Sequence, residues 1–75
     1  MAERSKVMTK RERIRVSIKK KREERGVTQN ELAERLNISR TTVAMWETGN
    51  SMPRAETLMQ LAKIFNCTVD ELLRG

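Results

Sequence analysis

Thr28-Gln29-Asn30-Glu31-Leu32-Ala33, followed by Asn37-Ile38-Ser39-Arg40-Thr41-Thr42-Val43-Ala44-Met45-Trp46-Glu47-Thr48-Gly49, is the stretch that decides the fold of this chain. Its first four residues form a capping box: the Thr28 hydroxyl accepts from the backbone three residues on, and Glu31 reaches back to the Thr28 amide. Leu32, Ala33 and Leu36 then place an apolar stripe on a short helix. Asn37 tolerates the left-handed backbone that most residues avoid, and Ser39 supplies the next N-cap. Val43 and Trp46 recur at three-residue spacing until Gly49 ends the second helix. Two short helices joined only by Asn37, Ile38 and Ser39 cannot lie antiparallel and must cross steeply. Ala33 is small enough to let their backbones approach, with Ile38, Val43 and Trp46 filling the wedge. An ordinary steep helical hairpin shares this geometry, so the spacing alone admits a nucleic-acid reader without requiring one.

The flanks are helical too. Thr9 to Arg25 contains neither Pro nor Gly and carries Ile14 and Ile18 four residues apart on one face, with Val16 off that stripe, before Gly26 stops the helix. After the loop Asn50 to Pro53, the residues Leu58, Leu61, Ala62 and Phe65 fall at i, i+3, i+4 and i+7, a full amphipathic helix. Thr68-Val69-Asp70-Glu71 repeats the capping box, and Val69, Leu72 and Leu73 give a last short helix its apolar side. No segment alternates with period two. The pattern predicts an all-α domain of five helices over residues 9–75, preceded by a flexible N-terminal arm, or a leader foreign to the domain, at 1–8.

A chain of 75 residues supports one small core. With 37% hydrophobic and 35% charged residues it is too apolar to be disordered and too evenly broken for a membrane protein. No apolar segment follows the basic N-terminus, so a cytoplasmic location is expected. The lone Cys67, close to Phe65 and Val69, reads as a core filler. With no histidine and one cysteine there is no tetrahedral zinc set and no base for a serine nucleophile, and no glycine-rich phosphate loop is present. Neither an enzyme, a metal nor a cofactor is expected. Of the 16 Lys and Arg residues, 11 fall within 1–27, where they face only 4 Glu. Such an asymmetry suits a polyanion, since each cation set on a phosphate releases a counterion. A solvated face or an acidic membrane surface fits the charge equally.

With Val43 and Trp46 facing inward, a turn of about 100° per residue points Thr41 and Met45 outward, flanked by Arg40, Thr42 and Ala44. That face has no glutamate. Arg40 can donate two parallel hydrogen bonds to guanine O6 and N7, while Met45, Ala44 or the threonine methyls can meet a thymine methyl. Each has a plainer reading: a phosphate contact for Arg40, solvent exposure for Thr41 and Thr42, a protein interface for Met45.

The ordered set Thr28-Gln29-Asn30-Glu31-Leu32-Ala33, Ile38-Ser39-Arg40, Val43, Trp46-Glu47, Gly49, Pro53 and Val69-Asp70-Glu71-Leu72-Leu73 resembles Cro/CI-type (xenobiotic response element) helix-turn-helix domains over residues 12–75. The resemblance implies a five-helix bundle of the lambda-repressor-like type, with helices 2 and 3 forming the helix-turn-helix and helix 3 entering the major groove of double-stranded DNA. It matches Arg40, Thr41 and Met45 to base-reading positions and Gln29 to a phosphate contact. Ser39, Asn50 and Arg54 are further phosphate candidates, and Arg22 and Glu47 match a structural ion pair. Lys21 departs from the pattern, standing where many members place a leucine. Its stem can cover the core edge while its ammonium reaches water or a phosphate.

The function implied is a repressor or autoregulator in a prokaryotic cytosol, or encoded by a phage. It would bind a pseudo-palindromic operator as a homodimer with recognition helices about 34 Å apart. No small-molecule ligand is expected. Leu72, Leu73 and the loop around Met52 are candidates for the dimer interface or, equally, for closure of the monomer core. Two other readings share the fold: an antitoxin-type protein whose main partner is a toxin, and a controller protein of a restriction-modification system.

Overall fold

Hydroxyl side chains start four of the five helices that the computed structural model describes over residues 8–75. Helix α1 (Lys10–Glu24) begins at Thr9, whose Oγ1 accepts from the Glu12 amide at 3.1 Å while its own amide donates to the Glu12 carboxylate at 2.8 Å. Helix α2 (Gln29–Leu36) begins on the same reciprocal pair at Thr28 and Glu31, and α5 (Val69–Arg74) on Thr68 and Glu71. Helix α3 (Arg40–Thr48) is capped by Ser39, whose Oγ accepts from the Thr42 amide at 3.2 Å. Helix α4 (Ala55–Ile64) starts after Arg54 with no side-chain cap. Three of these caps were legible in the sequence; the Thr9–Glu12 box was not singled out.

The turn between α2 and α3 depends on Asn37, which sits in the left-handed region at φ 58°. That conformation lets the Ile38 amide reach back to the Ala33 carbonyl at 3.0 Å, closing α2 just before Ser39 opens α3. Ala33, Val43 and Trp46 are buried in the resulting wedge, with Leu36 and Ile38 half-buried at its rim. Helix α1 lies across both α3 and α5, α2 packs on α3, and α4 packs on α5. Ile14, Ile18, Leu32, Val43, Leu61, Phe65 and Leu72 are fully buried between them.

This packing bears on three expectations. Leu72 closes the monomer core and is unavailable to a partner, whereas Leu73 and Met52 stay half-buried against the core edge. The most exposed methionine among the described residues is Met59 of α4, 58% exposed. Cys67 is half-buried against the core, and loss of hydration there pushes its thiol pKa up. Lys21 is half-buried and its charge acts on Cys67 and Glu71, which puts this cation on the α5 side of α1 rather than beside α3. The arm expected at 1–8 lies, apart from Met8, outside the described residues. No helix among the described residues is long and apolar enough to cross a membrane.

Candidate nucleic-acid interface

Burying Val43 and Trp46 turns the opposite side of α3 to solvent, so Arg40, Thr41 and Met45 are exposed, Met45 to 39%. Ala44 is half-buried beside them. Thr42 leans the other way: its hydroxyl lies 2.9 Å from Ser39 Oγ, and its side chain lines a groove with Ile38, Trp46, Met52 and Pro53. The exposed surface of the helix is thus a guanidinium, a hydroxyl, a methyl and a thioether in sequence.

The acidic residue of this helix is turned away from that surface and neutralised. Glu47 is buried, and Arg22 of α1 holds it by two bonds, Nε to Oε2 at 2.7 Å and NH2 to Oε1 at 3.0 Å. The two side chains are 11% and 4% exposed. Burial by itself raises the Glu47 carboxyl pKa, but the hydrogen bonds from Arg22 and Gln29 outweigh it and leave the group below its usual value. The bond to Glu47 outweighs desolvation at Arg22 as well and raises its pKa. Arg22 NH1 also donates to the Val27 carbonyl at 2.9 Å, so one side chain joins α1, the α1–α2 turn and α3.

Gln29, the first residue of α2, extends this network toward the surface. Its Nε2 donates to Glu47 Oε1 at 3.0 Å, and its Oε1 accepts from Arg40 NH1 at 3.3 Å. The structure therefore brings Arg22, Glu47, Gln29 and Arg40 into one chain of bonds, with Thr41 and Met45 beside its outer end. Asn50 stands on the far end of α3: its amide donates to the Met45 carbonyl at 2.9 Å and its side chain to Thr48 Oγ1 at 3.1 Å. Arg54 is exposed at the start of α4, and Ser39 is engaged as the α3 cap.

A row of cations on α1 escaped the sequence reading. Arg11 NH1 donates to the Gly49 carbonyl at 3.1 Å, the Arg15 stem packs against Gly49, and the Lys19 charge acts on Glu47. These residues are spaced by four, which puts them on the α1 edge beside α3. The spacing was present in the sequence, but nothing local tied it to α3. Among the described residues no group of His, Cys, Asp and Glu could hold a metal ion.

A helix pair joined by a capped three-residue turn, with a small residue buried between the helices and an uncharged-to-cationic outer face, is the arrangement of a helix-turn-helix unit. A helix-turn-helix family model matches residues 18–72, and the chain belongs to that Cro/CI-type family, whose chemistry is binding and not catalysis. It is similar to the HTH-type transcriptional activator BcrR of Enterococcus faecalis, 45% identical over 51 residues that make up 68% of this chain and 25% of that protein. It is also similar to repressor protein C2 of Salmonella phage P22, 33% identical over 64 residues covering 85% of this chain and 28% of that protein. The chain thus spans about a quarter of the length of these two relatives. The crystal structure of the clp gene regulator ClgR from C. glutamicum superposes with a TM-score of 0.79 at 25% identity, covering 89% of this chain and 87% of that one.

Proposed function

We propose that this chain is a sequence-specific, double-stranded-DNA-binding transcription regulator, acting as a repressor or autoregulator that occupies a pseudo-palindromic operator as a homodimer. The observation that carries this reading is the outer face of α3, where Arg40, Thr41 and Met45 are exposed together while the acidic Glu47 is buried and paired. In a major groove, Arg40 meets guanine O6 and N7, and Thr41, Ala44 and Met45 offer methyl and thioether contacts to thymine. Gln29 and Ser39 on one flank, and Asn50 and Arg54 on the other, meet the phosphates of the two strands. Arg11, Arg15 and Lys19 add positive potential along the same edge. The P22 relative is named a repressor and the BcrR relative an activator. A single recognition helix spans too few base pairs for useful specificity, which favours a dimer with helices about one DNA turn apart.

Selection from random duplexes by the purified protein at near-physiological salt tests the reading. The expected outcome is an enriched pseudo-palindrome that relaxes at one symmetric pair of positions in Arg40→Ala. Failure to enrich any site removes the proposal.

A further inference from the structure

The bonds that join Arg22, Glu47, Gln29 and Arg40 have a fixed polarity. Arginine only donates and an ionised carboxylate only accepts, so donors and acceptors must alternate along the row. Both Glu47 oxygens take bonds from Arg22, at 2.7 and 3.0 Å, and Oε1 takes a further bond from Gln29 Nε2 at 3.0 Å. With its NH2 group committed to Glu47, the Gln29 amide turns its oxygen to the other side, where Arg40 NH1 donates to it at 3.3 Å. Reversing the amide would set oxygen against carboxylate and NH2 against guanidinium, two repulsive contacts in place of two attractive ones. The orientation of an amide at the protein surface is thus decided by a buried acid on another helix.

We infer that Glu47 is a positioning residue for base recognition: through the Gln29 amide it supplies the acceptor that holds Arg40, and so sharpens preference at the base-pair step Arg40 reads. The inference rests on the reading of α3 as the groove-entering helix. An exposed arginine loses rotamer freedom when it binds, and part of that loss is already taken in the free protein when one N–H is anchored. Bidentate pairing with guanine also demands a set guanidinium plane, whereas an untethered arginine swings equally well to a phosphate. Glu47 is suited to the task because it is buried and doubly held, so its own position does not drift.

The test measures affinity for the selected operator and for duplexes substituted at single steps. Arg40→Ala marks the step concerned. Gln29→Met removes the amide at similar length and leaves the Arg22–Glu47 pair intact, so the fold is retained. It is expected to lower discrimination at that step about fivefold or more and to leave the steps next to Thr41 and Met45 unchanged. Glu47→Gln is expected to relax the same step, because Arg22 takes the new carbonyl and the new NH2 forces the Gln29 amide to reverse. The exchange Gln29→Glu with Glu47→Gln restores the alternation of donors and acceptors and should recover discrimination, a rescue that a purely structural role would not produce. The inference is overturned if Gln29→Met keeps discrimination at the Arg40 step within about twofold of wild type, if Glu47→Gln weakens all steps evenly, or if the exchange fails to recover it. If Arg40→Ala relaxes no step, the assignment of Arg40 as a base reader falls, and this inference with it.

Discussion

Replacing Ser17 by alanine should make the domain more stable. Ser17 lies on the buried side of α1 between Ile14 and Ile18, it is 2% exposed, and its hydroxyl has no hydrogen-bond partner among the described residues. It does not make even the bond to the carbonyl one turn back that a helical serine often finds. A hydroxyl left dry and unpaired costs about 1–3 kcal/mol. Alanine removes that term and adds about 0.5 kcal/mol of helix propensity. Against these, losing one oxygen opens a void of roughly 10 Å³, worth about 0.3 kcal/mol at the measured sensitivity of core cavities. The net gain is at least about 1 kcal/mol, which for a domain of this size raises Tm by about 4–8 °C. Thermal and urea unfolding followed by far-UV circular dichroism check it, with a higher urea midpoint at unchanged slope. The same substitution at the α3 cap, Ser39→Ala, serves as the contrast, since loss of a working N-cap should lower stability by about 1 kcal/mol. An unchanged or lower Tm for Ser17→Ala would show that the hydroxyl is satisfied in solution and refute the reasoning.

Other perturbations test the remaining framework. Arg22→Met strands the Glu47 carboxylate in the core and should cost about 3 kcal/mol or more in urea unfolding; a loss under about 1 kcal/mol would mean the acid re-solvates. Acid titration of stability should be flat near neutrality and fall below the ordinary carboxyl value of 4.5, because Glu47 has a depressed pKa in the folded state. A depressed group contributes its stability above the unfolded value and loses it as pH falls through the folded one. Glu31 and Glu71, lowered first by the backbone amides they cap, act in the same direction, and Glu47→Gln should make the acid limb shallower. Gly49→Ala forces φ +86° on a residue with a Cβ and brings that carbon to 3.4 Å from the Arg15 stem. A loss of about 1–2 kcal/mol is expected from the left-handed strain, read as a lower Tm.

Local chemistry carried most of the fold into the sequence. The Thr28, Ser39 and Thr68 caps, the left-handed Asn37 and the apolar stripe of α4 each depend on residues within one or two turns, so spacing alone exposes them. Thr9-Lys10-Arg11-Glu12 has the same form as Thr28 to Glu31 and drew no notice, because charged residues rather than an apolar stripe follow it. Ser17 likewise gives no local sign of burial; only α1 lying across two other helices puts it in the core. At the candidate site, the exposure of Thr41 and Met45 follows from helical periodicity, whereas the Arg22–Glu47 contact spans 25 positions and was reached through family resemblance. The bond from Arg40 to Gln29 could be read from neither, since it depends on the crossing angle of α2 and α3.

The way α1 is stabilised bears on why a buried ion pair sits at positions 22 and 47. The buried side of α1 is thin, just Ile14, Ser17 and Ile18, and Lys21 and Arg22 extend it with long side chains at its C-terminal end. A pair of apolar residues would fill the Arg22–Glu47 site about as well, since replacing a buried ion pair by packed hydrophobic residues is often neutral or stabilising by about 1–4 kcal/mol. Such a pair could not orient an amide. The double substitution Arg22→Met with Glu47→Met should therefore fold with stability close to wild type, far above the Arg22→Met single variant, yet lose discrimination at the Arg40 step as Gln29→Met does. If the double variant instead unfolded as readily as the single one, the pair would be needed for the fold itself, and its presence would require no reference to Arg40. If the double variant were stable and fully discriminating, burial without polarity would suffice. The expected combination, a sound fold with one relaxed base step, places the ion pair in the service of recognition.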